Sequence, residues 1–360
     1  MTSETAQQKI MSDYASKWTF YSDFGDEIKR IIEILINKEK YNILDITERP
    51  KSTDSLQKKI SSKYYESLDE IYDLAAARVT TYFESDVNLV VSILRNNFIV
   101  DEANSVDESK LLDPQAFGYR SVHLILSFSE KLANFPGNEK YKGEKFEVQV
   151  RSALQHAWAE IEHDLGYKKF SHVPKQFRRR FAGISGLLEM ADNEFCRLRV
   201  DIEQYVQDVK QKINSPGASA EINLPSLRVF YENSRMMGRF LSETAKRLPV
   251  EGKRESATIF PGFVDFFLSA GIETTSELDV KARDASPIIE ALLDHWLKLS
   301  EDGPNIPRTW GIGYFFLVLY VLWEKKEYDP ALKYFRKNAI FNDNASRLRA
   351  AQWLFEFKPA

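Results

Sequence analysis

The sequence predicts an α+β fold, a mixed β-sheet flanked by helices and then an all-α C-terminal domain. Three observations carry this. Three short runs between residues 75 and 151 alternate apolar and polar side chains, interleaved with helical periodicity. The stretch 214-NSPGASAEINLP-225 has the composition of a linker. Beyond it, residues 226–360 are rich in aromatics and helical in spacing, with no strand-like alternation and no fixed-period repeat. A length of 360 residues suits two domains, expected here as 1–213 and 226–360 with the linker at 214–225.

Along the chain, residues 14–40 read as a helix with Trp18, Phe24, Ile28, Ile31, Ile32, Leu35 and Ile36 at helical spacing. At 49-RPKSTDSLQKKI-60, Ser52 or Thr53 is the expected cap of a short helix that points Lys58 and Lys59 outward. A strand follows from residue 75, then a helix over 86–97, a short strand at 98–100 and a polar loop from 101 to about 118. Strands at 121–128 and 146–151 come next, the latter running into a helix anchored by Leu154, Trp158, Ile161 and Leu165. Residues 176–213 read as one or two helices with Phe177, Phe181, Ile184, Leu188, Phe195, Leu198 and Ile202 as the apolar stripe.

Composition narrows the function classes. Hydrophobic residues at 43% and charged residues at 28% are ordinary for a soluble globular protein. A net charge of −4 carries no overall basic bias toward nucleic acid. The single cysteine, Cys196, supports neither an internal disulfide nor a cysteine-rich zinc site; it is expected to be packed, and its scarcity fits the cytoplasm. The N-terminal segment lacks the apolar core of a signal peptide. The uncharged run 309-TWGIGYFFLVLYVLW-323 is too short for a comfortable membrane span and reads as a buried helix. No GxxxxGK[ST] or GxGxxG loop is present.

Alternate strand residues face opposite ways. In the three strands, the faces opposite the apolar ones carry Arg78, His123, and Glu147 with Gln149 and Arg151. If the strands are neighbours, one sheet face is core and the other gathers these polar groups; a merely half-solvated sheet gives the same periodicity. Asp73, just before the Arg78 strand, and Glu147 form a candidate carboxylate pair, which suits a hard cation such as Mg²⁺ beside phosphates. Arg49, Lys51, Lys58 and Lys59 cluster around a helix start, where cations and free N–H groups favour phosphate, although a solvated basic surface has the same composition. His172 and His295 read as structural or surface residues.

Taken in order, RPKxxxSxxxK at 49–59, IYDLAAARV at 71–79, GYRSVH at 118–123 and EVQVRSALQHAWAEIEHDLGYK at 147–168 resemble the synthetase domain of the RelA/SpoT family. The resemblance covers residues 41 to about 170, and the helices to 213 fit the same domain. It implies a nucleotidyltransferase-like sheet and transfer of the β,γ-pyrophosphate of ATP to the ribose 3′-hydroxyl of GDP or GTP, making ppGpp and pppGpp. Carried over, Arg49 and Arg78 would sandwich the adenine, and Lys51, Ser55 and Lys59 would meet the ATP phosphates. Asp73 and Glu147 would hold Mg²⁺, Glu147 also drawing the proton from the attacking hydroxyl. Tyr119 would stack on the acceptor base and His123 would meet the acceptor phosphates, with Gln149 and Arg151 supporting the acceptor side.

One loop departs from the family pattern. Where members often have P-K-x-N-G-Y, this chain has 114-PQAFGY-119, so Gln115 and Phe117 replace the Lys and the Asn. Some members are toxins that place the pyrophosphate on the 3′ end of tRNA. The acceptor expected is therefore a guanine nucleotide or, in the alternative, a tRNA acceptor end held by Lys168, Lys169, Lys175, Arg178, Arg179 and Arg180. A non-catalytic nucleotide-binding regulator is the third reading. No His precedes His123, which argues against the metal-dependent hydrolase domain of the long members. The resemblance does not reach 226–360, expected to be a regulatory domain that answers a protein effector or serves as a fused antitoxin or phage sensor.

Overall fold

The computed structural model describes residues 3–36, 41–107, 121–165, 174–215, 218–247, 260–298, 312–338 and 343–359. The long helix α1 (Ser3–Leu35) leads into strand β1 (Ile43–Glu48), α2 (Thr53–Ser62), β2 (Ala76–Thr81), α3 (Glu84–Asn97) and β3 (Phe98–Val100). After β4 (Val106–Asp107) come β5 (Val122–Phe128), the single turn α4 (Glu130–Ala133), β6 (Lys145–Ser152), α5 (Ala153–Asp164) and the forty-residue α6 (Lys175–Asn214).

The sheet runs in the order β1-β2-β6-β5-β3, with β4 also on β5. It is mixed because β2 and β6 are parallel while the other pairs are antiparallel. The three alternating strands of the sequence are therefore adjacent in space. Their apolar faces, with Val79, Leu124, Leu126, Phe146, Val148 and Val150, pack against Phe24, Ile28 and Ile32 of α1 and Val87, Val90 and Leu94 of α3 in one core. Aromatic edges fill its centre: Phe146 meets Phe24, Phe98 and Phe128 at 5.4–5.7 Å between ring centroids.

Several expectations change. Strand β1 is not signalled by the sequence; ILDITE is short, and only Ile43 and Ile46 of it are buried. In α5, Trp158 at mid-helix is buried, but Ile161 and, just past the helix, Leu165 are 53% and 51% exposed, so the apolar anchoring stops halfway along it. In α6, Phe177, Ile184, Phe195, Leu198 and Ile202 are exposed. The face that α6 buries includes Ser185 and Asp192, with Phe181 on Trp158 at 5.5 Å. Ser152 Oγ donates to Asp192, and Arg199 Nη1 reaches both Asp86 oxygens at 2.8 and 3.0 Å. Buried polar bonds orient the helix where apolar periodicity pointed elsewhere. Cys196 is half-buried.

The chain divides into two units at Arg199/Val200, inside α6. The end of α6 packs within the second unit: Val209 lies with Ala220 and Val229 in a small core. The second unit holds α7 (Leu224–Asn233), α8 (Arg235–Arg247), α9 (Phe260–Ser269), α10 (Thr275–Ala285), α11 (Ile289–Lys298), α12 (Ile312–Lys325), α13 (Tyr328–Lys337) and α14 (Asn344–Glu356). Among its described residues it is all-helical apart from one isolated bridge, Glu221 to Thr274. Every residue of α12 from Tyr314 to Leu322 is buried, so the uncharged run is the central helix of a core. No described helix is long and apolar enough to cross a membrane. His295 is structural, stacked on Trp353 at 3.4 Å between centroids; His172 lies outside the described residues.

Candidate active site

The polar sheet face is built by register. Thr47, Arg78, Gln149 and His123 are cross-strand partners in one row over β1, β2, β6 and β5. A second row pairs Asp45, Thr80 and Arg151, and a third pairs Ala76 with Glu147. Since partners in register share a face, Arg78, His123, Glu147, Gln149 and Arg151 all project to the side opposite the aromatic core.

The β1–β2 ladder continues beyond the strands. Arg49 N–H donates to Ala76 O at 2.7 Å, and Lys51 N–H donates to Leu74 O at 3.0 Å. This extension brings Arg49 and Lys51 onto the same face as Arg78, in the alternation of Thr47, Arg49 and Lys51. Helix α2 starts at once, capped by Ser52, whose Oγ accepts from Ser55 N at 3.2 Å and donates to Ser55 Oγ at 2.8 Å. Lys58 is exposed as expected, but Lys59 turns inward. Its Nζ lies 2.9 Å from Asp73 Oδ1, while Lys51 Nζ takes Asp73 Oδ2. Burial pushes the Asp73 carboxyl up, and the two ammoniums outweigh it and hold it below the usual carboxylate range.

Across the sheet, the acceptor-side residues form a chain of hydrogen bonds. Ser121 Oγ lies 2.7 Å from His123 Nε2, and His123 Nδ1 lies 2.8 Å from Glu147 Oε1. Gln149 Nε2 donates to Glu147 Oε2 at 2.9 Å, and Arg151 Nη2 donates to Gln149 Oε1. Arg151 is only 5% exposed. A guanidinium can only donate, so it fixes the amide of Gln149 with its NH₂ toward Glu147. Burial acts to raise the Glu147 carboxyl; the His123 bond and charge and the Gln149 bond outweigh it, and the carboxyl ends below its ordinary value. The negative charge of Asp73 acts weakly in the other direction, raising it.

Arg78 is held from above by α5, with Nη1 3.2 Å from Glu160 Oε1. The same carboxylate lies 3.7 Å from His156 Nδ1. Burial, then the charges of Arg78 and Arg151, push the His156 imidazole down, which keeps it neutral at pH 7. On the opposite, buried side, Tyr14 of α1 donates its hydroxyl to the carbonyl of Lys51.

Of the residues named from sequence, Arg49, Lys51, Ser55, Lys59, Asp73 and Arg78 come together around β1, β2 and α2, and His123, Glu147, Gln149 and Arg151 around β5 and β6. Tyr119, Gln115, Phe117, Lys168 and Lys169 lie outside the described residues. Sequence reasoning missed Tyr14, Ser121, His156 and Glu160. Ser121 and Glu160 stand inside the quoted motifs, but Tyr14 reaches the site only through the packing of α1.

Asp73 and Glu147 fit a hard divalent cation, because both offer carboxylate oxygens and the Asp73 charge reaches Glu147. Among the described residues no group of three or more His, Cys, Asp or Glu side chains is gathered for a metal. Two carboxylates would suit Mg²⁺ if phosphate oxygens and water completed its sphere.

Residues 48–172 match the family described as a region found in RelA / SpoT proteins. Two curated proteins of Bacillus subtilis (strain 168) are similar. The GTP pyrophosphokinase YwaC is 24% identical over 207 residues, covering 54% of this chain and 94% of that protein. The GTP pyrophosphokinase YjbM is 27% identical over 167 residues, covering 44% and 73%. Among solved structures, the small alarmone synthetase 1 of Bacillus subtilis bound to its product pppGpp is 24% identical with a TM-score of 0.44, covering 53% of this chain and 98% of that one. Over residues 48–172 the chain is therefore similar to the region found in RelA/SpoT proteins.

Proposed function

We propose that the protein is a Mg²⁺-dependent pyrophosphokinase that transfers the β,γ-pyrophosphate of ATP to the ribose 3′-hydroxyl of GDP or GTP. The observation that carries this reading is the gathering of Asp73, Lys51, Lys59, Arg78 and Glu147 at one polar sheet face. Its support from relatives is that both curated proteins are named GTP pyrophosphokinases.

The division of labour follows from the chemistry. Phosphoryl-type transfer needs in-line positioning and charge neutralisation more than covalent help. Arg49 and Arg78 present planar guanidinium groups able to stack on the adenine. Lys51 and Lys59 neutralise phosphate oxygens, with the Ser55 hydroxyl at the start of α2. Asp73 and Glu147 hold the cation, which when bound offsets charge on the transferring group. Glu147, ionised at neutral pH, takes the proton of the 3′-hydroxyl, and His123 and Gln149 fix its two oxygens. Tyr119 stacks on the acceptor base, with His123 beside the acceptor phosphates and Arg151 holding Gln149.

Labelled ATP incubated with GDP, GTP or deacylated tRNA tests this. Label is expected on the guanine nucleotide. Label on tRNA alone would replace that acceptor with a tRNA 3′ end, the reading favoured by Gln115 and Phe117. ATP bound without any transfer would make the protein a nucleotide-binding regulator. Glu147→Gln is expected to lower transfer by about 100-fold or more; unchanged turnover would remove Glu147 from the reaction.

A further inference from the structure

Asp73 carries an ammonium on each of its oxygens, Lys59 on Oδ1 at 2.9 Å and Lys51 on Oδ2. Under the function proposed above, on which this inference rests, all three groups have second partners: phosphates for the lysines, the cation for Asp73. These roles compete. An ammonium seated on each carboxylate oxygen takes up part of its acceptor capacity and puts positive charge where a metal would sit, and a lysine held there is withheld from phosphate.

The charges state the consequence. Asp73 and Glu147 carry two negative charges, and Lys51 and Lys59 carry two positive ones. A divalent cation arriving alone meets a carboxylate already neutralised, with two ammoniums beside it. A triphosphate draws those ammoniums away and exposes Asp73 to the cation at the same moment. The two lysines are not equally placed for this move. Lys51 is pinned through its backbone, its N–H on Leu74 O and its carbonyl under the Tyr14 hydroxyl. Lys59 extends from the last turn of α2, its side chain 31% exposed against 13% for Lys51, and has room to swing.

We propose that Lys51 and Lys59 act as a handover pair: they occupy Asp73 until the donor's phosphates take them, so the divalent cation loads with the nucleotide and not ahead of it. Lys59 is the member that moves. Linkage then requires the cation and the nucleotide to raise each other's affinity by the same factor.

The test uses the full chain and Mn²⁺ as the probe. Free Mn²⁺ is counted by electron paramagnetic resonance, with and without α,β-methylene-ATP, against a protein-free control. Binding of Mn²⁺ is expected to be about 10-fold tighter with the analogue than without it. Lys59→Met is expected to bind Mn²⁺ alone about 10-fold more tightly than the parent, with a smaller coupling factor. Lys59→Arg keeps the charge and is expected to keep the coupling, which separates lost charge from a disturbed fold. A coupling factor near one in the parent chain, or Lys59→Met binding Mn²⁺ no better, overturns the handover. Calorimetric binding of the analogue in that case leaves the pyrophosphokinase reading intact, whereas no binding of the analogue overturns both.

Discussion

Tyr14 shows how a site residue is set from behind. It is 1% exposed on α1, and its hydroxyl meets the Lys51 carbonyl. Burial and the negative charge of Asp73 raise its hydroxyl above the ordinary tyrosine value, so it stays protonated and donates. Tyr14→Phe removes only that donor. Its expected effect is a rise of about 5-fold in KM for ATP, equivalent to roughly 1 kcal/mol, with KM for the acceptor unchanged. Steady-state kinetics varying each substrate separately decides it; an equal change in both constants would assign Tyr14 to general stability. Arg151 teaches a related point. Sequence places it on the polar face with Gln149, and the structure shows it buried there, acting on Glu147 through the amide it orients.

At the scale of elements, the faces of the alternating strands and of α1 were legible, and the face of α6 was not. The alternation in β2, β5 and β6 assigned inward and outward residues because the two-residue repeat of a strand leaves little latitude. Helix α6 carries apolar residues around much of its circumference, so periodicity did not single out the buried side. Two polar bonds did, Ser152 to Asp192 and Arg199 to Asp86. Asp86 is 5% exposed at the start of α3, and the Arg199 guanidinium also lies 5.0 Å from the centre of the Phe83 ring. Arg199→Ala is therefore expected to destabilise the fold by about 2 kcal/mol, reduced from a fully buried pair because the guanidinium is partly solvated. Adding Asp86→Asn should recover part of that loss. Urea unfolding of both variants measures it, and a loss below about 0.5 kcal/mol would make the pair a surface contact in effect.

At the scale of the whole molecule, the two units have separate cores. One runs from Ile10 to Val150 and the other from Ile222 to Phe357. We propose that the second unit regulates the first, since every residue of the candidate site lies before Arg199. A chain ending at Asn214 keeps α6 whole and removes the second core. An inhibitory unit predicts faster pyrophosphate transfer and stronger growth arrest from the shortened chain; equal rates and equal growth would dispose of inhibition. The sequence by itself determined the α+β class, the change to an all-helical second part, the resemblance to RelA/SpoT proteins and the strand faces of the site. These are short-range patterns, written in periodicity and in ordered motifs. Only the tertiary structure decided that Lys59 turns onto Asp73, that Tyr14 stands behind Lys51, that β1 closes the sheet edge and that α6 buries a partly polar face. Each of those depends on residues distant in the chain meeting in space, where a buried charge or hydrogen-bond donor must find its partner.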